Sequence, residues 1–155
     1  MKTRTALLTI LAVILTAALG VTASAQEDTA SAVGTGTLTA EGDGIVKLRG
    51  SGTVSLTGNG VLKIRDCGGD AVIDVQGEGL HTVRRIRNCV QHKYVGFDGS
   101  ATVTGRHIKV IARGVDLTLS AVGEGGVILR GKGSYTIGDQ TGRWAERGVE
   151  VFLPA

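Results

Sequence analysis

From Gly36 the chain runs in units of eight residues. Gly36-Thr-Leu-Thr-Ala-Glu-Gly-Asp43 is followed by Gly44-Ile-Val-Lys-Leu-Arg-Gly-Ser51, Gly52-Thr-Val-Ser-Leu-Thr-Gly-Asn59 and Gly60-Val-Leu-Lys-Ile-Arg-Asp-Cys67. Each unit opens on glycine and sets apolar residues at its third and fifth positions: Leu38 and Ala40, Val46 and Leu48, Val54 and Leu56, Leu62 and Ile64. Polar Thr39, Lys47, Ser55 and Lys63 stand between them. Alternation with β-branched enrichment predicts half-buried strands with one solvated face. The breaks Gly42-Asp43-Gly44, Gly50-Ser51-Gly52 and Gly58-Asn59-Gly60 read as three-residue hairpin loops, with Gly44, Gly52 and Gly60 at the left-handed position. Pairing Arg49 with Thr53 keeps every even-numbered apolar residue on one side, whereas a two-residue loop sets Val46 opposite Ser55 and spoils the face.

After Cys67 the period loosens while the pattern persists. Strands are expected over 71–76, 80–86, 93–97, 101–104, 107–112, 115–122, 127–130, 134–137 and 149–153, and no segment has helical periodicity. The predicted fold is all-β: a single domain, 34–155, of short strands joined by Gly-x-Gly hairpin turns, as a sandwich or barrel. A β-solenoid with eight-residue sides is the alternative, since residue parity fits both. A membrane barrel is disfavoured, because its strands need ~9–11 residues and aromatic girdles.

The stretches Gly34-Thr-Gly-Thr-Leu-Thr-Ala-Glu-Gly-Asp-Gly44, Val61-Leu-Lys-Ile-Arg-Asp66 and Tyr94-Val-Gly-Phe-Asp-Gly99 resemble small exported glycine-rich β proteins of bacteria and archaea. That resemblance covers most of the chain after the leader and implies no activity. The Gly-Ser-Gly punctuation is also similar to that of autotransporter-adhesin head domains, which form β-solenoids, although the repeat length differs. Neither resemblance implies a functional residue.

The N-terminus changes how the charge is read. Lys2 and Arg4, an apolar run from Ala6 to about Val21, and Ala23-Ser24-Ala25 form the three parts of a secretory signal peptide. The expected organisation is a signal peptide over 1–25, a flexible leader over 26–33 and the β domain, with no transmembrane segment in the mature chain. The precursor has 17 Lys and Arg against 14 Asp and Glu, and the signal carries two of the cations and no acid. The mature protein is therefore close to neutral, and a globally basic nucleic-acid binder is disfavoured. In a secreted, periplasmic or extracellular location, Cys67 and Cys89 are most simply one disulfide. Without a CxxC motif they make a weak metal pair.

No constellation reads as a catalytic site. His81, His92 and His107 fit no zinc motif and read as isolated exposed histidines. Ser51, Ser100 and Ser134 fall in or beside turns, with no nucleophile elbow. Asp70 and Asp74 would share a strand face as solvated carboxylates, and Gly68-Gly69-Asp70 is at most one broken calcium-repeat unit. No cofactor is expected. The most distinctive stretch is His81 to Lys93, where Arg84, Arg85, Arg87 and Lys93 occur without an acid. It is a candidate site for an anionic polysaccharide or other polyanion, weighed against a merely solvated face. The leading functional expectation is a non-catalytic envelope protein, structural or adhesive, that pairs with itself through exposed strand edges. The alternative is a monomeric polyanion-binding module.

Overall fold

The computed structural model describes residues 31–33 and 37–153. The expected signal peptide and residues 26–30 of the expected leader lie outside them. The fold is all-β, one unclosed sheet with no helix among the described residues. Its strands are β1 (Ser31–Val33), β2 (Thr37–Asp66), β3 (Val72–Ile86), β4 (Cys89–Ile137), β5 (Gln140–Arg143) and β6 (Val149–Leu153). The last three residues of the expected leader form β1, which pairs in parallel with β6.

The all-β reading holds, but the eight-residue units are joined differently from the hairpins expected above. β2 is one continuous strand of 30 residues through all three Gly-x-Gly breaks. Arg49 pairs not with Thr53 but with Lys109 and Gly126, and Thr53 pairs with Thr104 and Val122. Each break is a corner at which the strand bends and continues.

Two antiparallel partners, β2 and β4, wind round each other in this way. Leu38 pairs with both Ala121 and Ile137, and Leu56 with both Ala101 and Leu119. Each turn of the coil therefore returns to its neighbour after two eight-residue sides. One layer contains 37–41, 53–57, 100–104, 117–122 and 134–137, flanked by 72–76 and β5. The other contains 45–49, 61–65, 91–95, 108–113 and 126–130, flanked by 80–86 and β6. The apolar alternation of both layers points into one aliphatic core, in which Leu38, Val46, Leu62, Ile64, Val127, Leu129 and Ile137 are fully enclosed. Each such side chain contributes ~1.5–3 kcal/mol by leaving water.

The corners explain the glycines. Gly52 has φ +137, and a Cβ there would overlap the carbonyl oxygen of Val122, with Gly123 Cα at 2.8 Å. Gly123 is reciprocally closed by Ser51 and Gly52. Glycine thus meets glycine where two turns of the coil cross, because only hydrogen fits between the backbones.

β4 also carries bulges at its corners. Gly42 pairs with Leu117 but Gly44 with Gly114, so β4 spends one extra residue there. The slip switches the inward residues from Ile108, Val110 and Ala112 to Leu117, Leu119 and Ala121. Asp116 adopts φ +52 at this bulge and its amide donates to Asp43 Oδ1 at 2.8 Å. His107 takes φ +54 at the corresponding corner on the other edge, its amide 3.5 Å from Ser51 Oγ. Bulges of this kind re-aim the strand that follows.

Candidate polyanion-binding face

Residues directly opposite in an antiparallel pair share a face of the sheet. On the outside of the second layer, Arg49, Lys109, Arg65, Gln91 and Arg84 are opposite one another in sequence across five segments. The adjacent column runs Lys47, Ile111, Lys63, Lys93 and Thr82, and the next runs Ile45, Arg113, Val61, Val95 and Leu80. Neighbouring strands are ~4.8 Å apart, so the cations form a close lattice interleaved with aliphatic side chains. The acid on this layer, Glu150, stands at its β6 margin opposite Ile128.

These charges are poorly compensated. Arg106 forms an ion pair with Asp70, Nε to Oδ2 2.8 Å, at a corner outside these columns. Arg65 Nε donates to Gln91 Oε1 at 2.7 Å, which fixes that guanidinium across the column. Arg49 opposite Lys109, Lys109 opposite Arg65, and Lys63 opposite Lys93 are like-charge pairs, each unfavourable by roughly 0.2–1 kcal/mol. An anion laid along the columns relieves that repulsion.

The sequence-predicted cations are divided by the pleat. Arg84 and Lys93 join the face. Arg85, opposite Val90, projects from the other side of the strand, and Arg87 sits at φ +54 in the turn into β4. The residues that dominate the face, Lys47, Arg49, Lys63, Arg65, Lys109 and Arg113, were not singled out. Their signal was the recurrence of Lys-x-Arg at 47/49 and 63/65, two units apart, in the units that lie between the Thr/Ser units.

A groove of about 990 Å³ crosses this face where Gly126 lacks a side chain. Gly126 lies directly opposite Arg49 on one side and Phe152 on the other. The Phe152 ring comes within 3.7 Å of the position a Cβ on Gly126 would occupy and remains 39% exposed. Lys47, Lys109, Glu124 and Glu150 are among the other residues of its walls. A second groove, about 870 Å³, lies at the opposite corner and mixes Glu41, Asp43, Asp116 and Glu146 with Lys132 and Arg143. Trp144 beneath it is buried, its indole N–H donating to the Ser134 carbonyl at 3.0 Å.

Cys67 and Cys89 form a disulfide, closing β2 onto the start of β4. His81 and His92 are not isolated: His81 Nε2 is 3.2 Å from His92 Nδ1, and the His81 ring stacks on Tyr94 with centroids 4.3 Å apart. Burial lowers the His92 pKa, and His81 lowers it further, against a smaller opposing pull from Asp66. Asp70 and Asp74 part company, Asp70 binding Arg106 before β3 while Asp74 accepts from Gln76 Nε2 at 2.8 Å. Hydrogen bonds from Arg106 hold the Asp70 carboxyl below its ordinary value. Among the described residues no three His, Cys, Asp or Glu side chains stand where they would share a metal ion.

Compared with protein families, curated proteins and solved structures, the chain matches none.

Proposed function

We propose that this protein is a non-catalytic, exported binding module that holds an acidic polysaccharide along the outer face of its cationic layer. The observation that carries this reading is the column Arg49–Lys109–Arg65, three cations directly opposite one another with no ion-pair partner among the described residues. A fold has no stability reason to stack like charges, whereas a polymer with one carboxylate or sulfate per sugar supplies the alternating counter-charge. The interleaved Ile45, Ile111, Val61 and Phe152 suit the apolar faces of sugar rings between those charges. Base stacking on single-stranded nucleic acid would need several exposed aromatics, and this layer offers Phe152.

Calorimetric titration with polygalacturonate tests the reading, with neutral dextran and duplex DNA as comparators. Binding to polygalacturonate should be lost in Lys47→Ala/Lys63→Ala/Lys109→Ala and weaken with salt as the screening length falls from ~10 Å at 0.1 M towards 3 Å at 1 M. Binding retained by the triple variant would overturn the assignment, and tighter binding to DNA would move the ligand class to nucleic acid.

A further inference from the structure

The two ends of the coil are finished differently. At one, β5 turns back on β4, Gly142 lies over the Tyr135 ring, and Trp144 and β6 close the core. At the other, β3 pairs with β4 along one edge and with no described strand along the other. By pairing, Ile73, Val75, His81 and Val83 share the inward side with Val103, Ala101, Tyr94 and His92. Ile73 and Val75 pack against the core, whereas His81 and Val83 on the same side are exposed, Val83 at 54%. Coiled repeat folds need a cap at such an end, and an unpaired edge is a template for another strand.

We propose that the cap is the β3 edge of a second copy of this chain, paired antiparallel about a two-fold axis through the Gly77-Glu78-Gly79 corner. The register follows from the rule inside the coil. Gly50-Ser51-Gly52 crosses Gly123-Glu124-Gly125 antiparallel, glycine on glycine, as Gly42-Asp43-Gly44 crosses Gly131-Lys132-Gly133. Gly77 and Gly79, at φ +123 and +138, repeat that corner on the free edge. Laid on its own two-fold copy it puts Gly77 opposite the partner's Gly79. The same register sets Ile73 opposite the partner's Val83, apolar against apolar, and Val75 opposite the partner's His81. On the outside it places Asp74 diagonal to the partner's Arg84, a favourable cross-strand pair formed twice. The one opposed contact is Glu78 with its own copy at the exposed corner. A two-fold pairing of this kind is closed and stops at two chains.

This axis exchanges the layers, so the cationic face of each copy continues into the Thr/Ser face of the other. The dimer carries one cationic face on each side and can bridge two polymer chains. That consequence, unlike the dimer itself, rests on the proposed function.

Sedimentation velocity of the purified protein, without polymer, across a concentration series tests the pairing. The expected species is a concentration-dependent dimer. Val83→Lys, at an exposed position, should leave the monomer folded by circular dichroism and give monomer throughout. Asp74→Arg should weaken the dimer, Asp74→Arg/Arg84→Asp should restore it, and Glu78→Gln should tighten it. Monomer at every concentration, open-ended polymers, or a dimer indifferent to Val83→Lys and Glu78→Gln would overturn the proposal, while leaving polygalacturonate binding to be judged separately.

Discussion

The two outer faces of this sandwich are made by the same strands and differ almost completely in chemistry. Residues 37–41 and 53–57 present Thr37, Thr39, Thr53, Ser55 and Thr57, against Thr102, Thr104, Thr118 and Ser120 of β4. Hydroxyls there bond to one another, Thr53 Oγ1 to Thr104 Oγ1 at 3.0 Å and Ser55 Oγ to Thr102 Oγ1 at 3.4 Å. Residues 45–49 and 61–65 instead present Lys47, Arg49, Lys63 and Arg65 against Lys109 and Arg113. Two hydroxyl pairs tie the first face across its strands, while the second sets like charges opposite one another. Backbone and pairing are alike in both, so the difference fits the proposal that the second face meets a polyanion.

That separation depends on the corners, so the largest effect should come from breaking one. Gly52→Val asks a β-branched residue to hold φ +137 against the Val122 carbonyl and should cost about 3 kcal/mol or more, read as the urea midpoint. Gly126→Ala, on the cationic face with its nearest neighbour at 3.7 Å, should change stability by about 0.5 kcal/mol or less. Equal losses in the two variants would remove the corner explanation.

The next effect concerns the disulfide, which ties the cationic layer where β2 ends and β4 begins. Cys67→Ser/Cys89→Ser should lower stability by ~3 kcal/mol in the chain-entropy model. Hydrogen exchange should show the loss concentrated in β3 and the 89–95 segment, with residues 37–57 protected as before. Uniform loosening of both faces would contradict that localisation.

A smaller substitution separates the faces by sign. Lys109→Glu places an acid between Arg49 and Arg65, directly opposite both. It should raise stability by about 0.5–1 kcal/mol while weakening polygalacturonate binding. On the other face Ser120 stands between Thr39 and Ser55. Ser120→Lys should leave both thermal stability and polymer affinity near the parent values. If Lys109→Glu destabilises the protein, the repulsion argument for the cationic face fails.

Much of this was written in the sequence, though not its connections. The inward residues of β2 and the glycine breaks followed from alternation, because a half-buried strand must alternate whatever its partner. Alternation is also why the hairpin expectation went astray. Leu38, Val46, Leu56 and Ile64 keep the same parity whether the chain reverses at each Gly-x-Gly or bends and continues. The discriminating signal had twice the period. Thr39 and Ser55 share one chemistry and Lys47 and Lys63 another, so odd and even units face different surroundings, as successive sides of a two-sided coil must. The cationic face was missed for a related reason. Local density drew attention to Arg84, Arg85 and Arg87, but the pleat separates neighbours in sequence, while pairing gathers Arg49, Lys109 and Arg65 from distant ones. His81 and His92 likewise meet only because β3 turns back onto β4.

The smallest expected effect is a pH dependence carried by the cationic layer. His92 lies in the 91–95 segment, with its imidazole pKa depressed from the ordinary 6.5 by burial first and by His81 second. In the unfolded chain that ring takes up a proton as pH falls through 6.5, whereas in the folded protein it does so only at lower pH. The unfolded state therefore binds more protons in the interval just below 6.5, and stability must decline there as the solution is acidified. The Asp70 carboxyl, held below its ordinary 3.8 by Arg106, also contributes stability that is lost on acidification, but only as pH falls through 3.8 and lower. The two windows are separate. Urea midpoints measured from about pH 7.5 down to about pH 5 should fall slightly, and His92→Gln should flatten that step while leaving the more acidic decline intact. A step that survives the substitution would assign the titration to another group and leave the two layers alike in their response to protons.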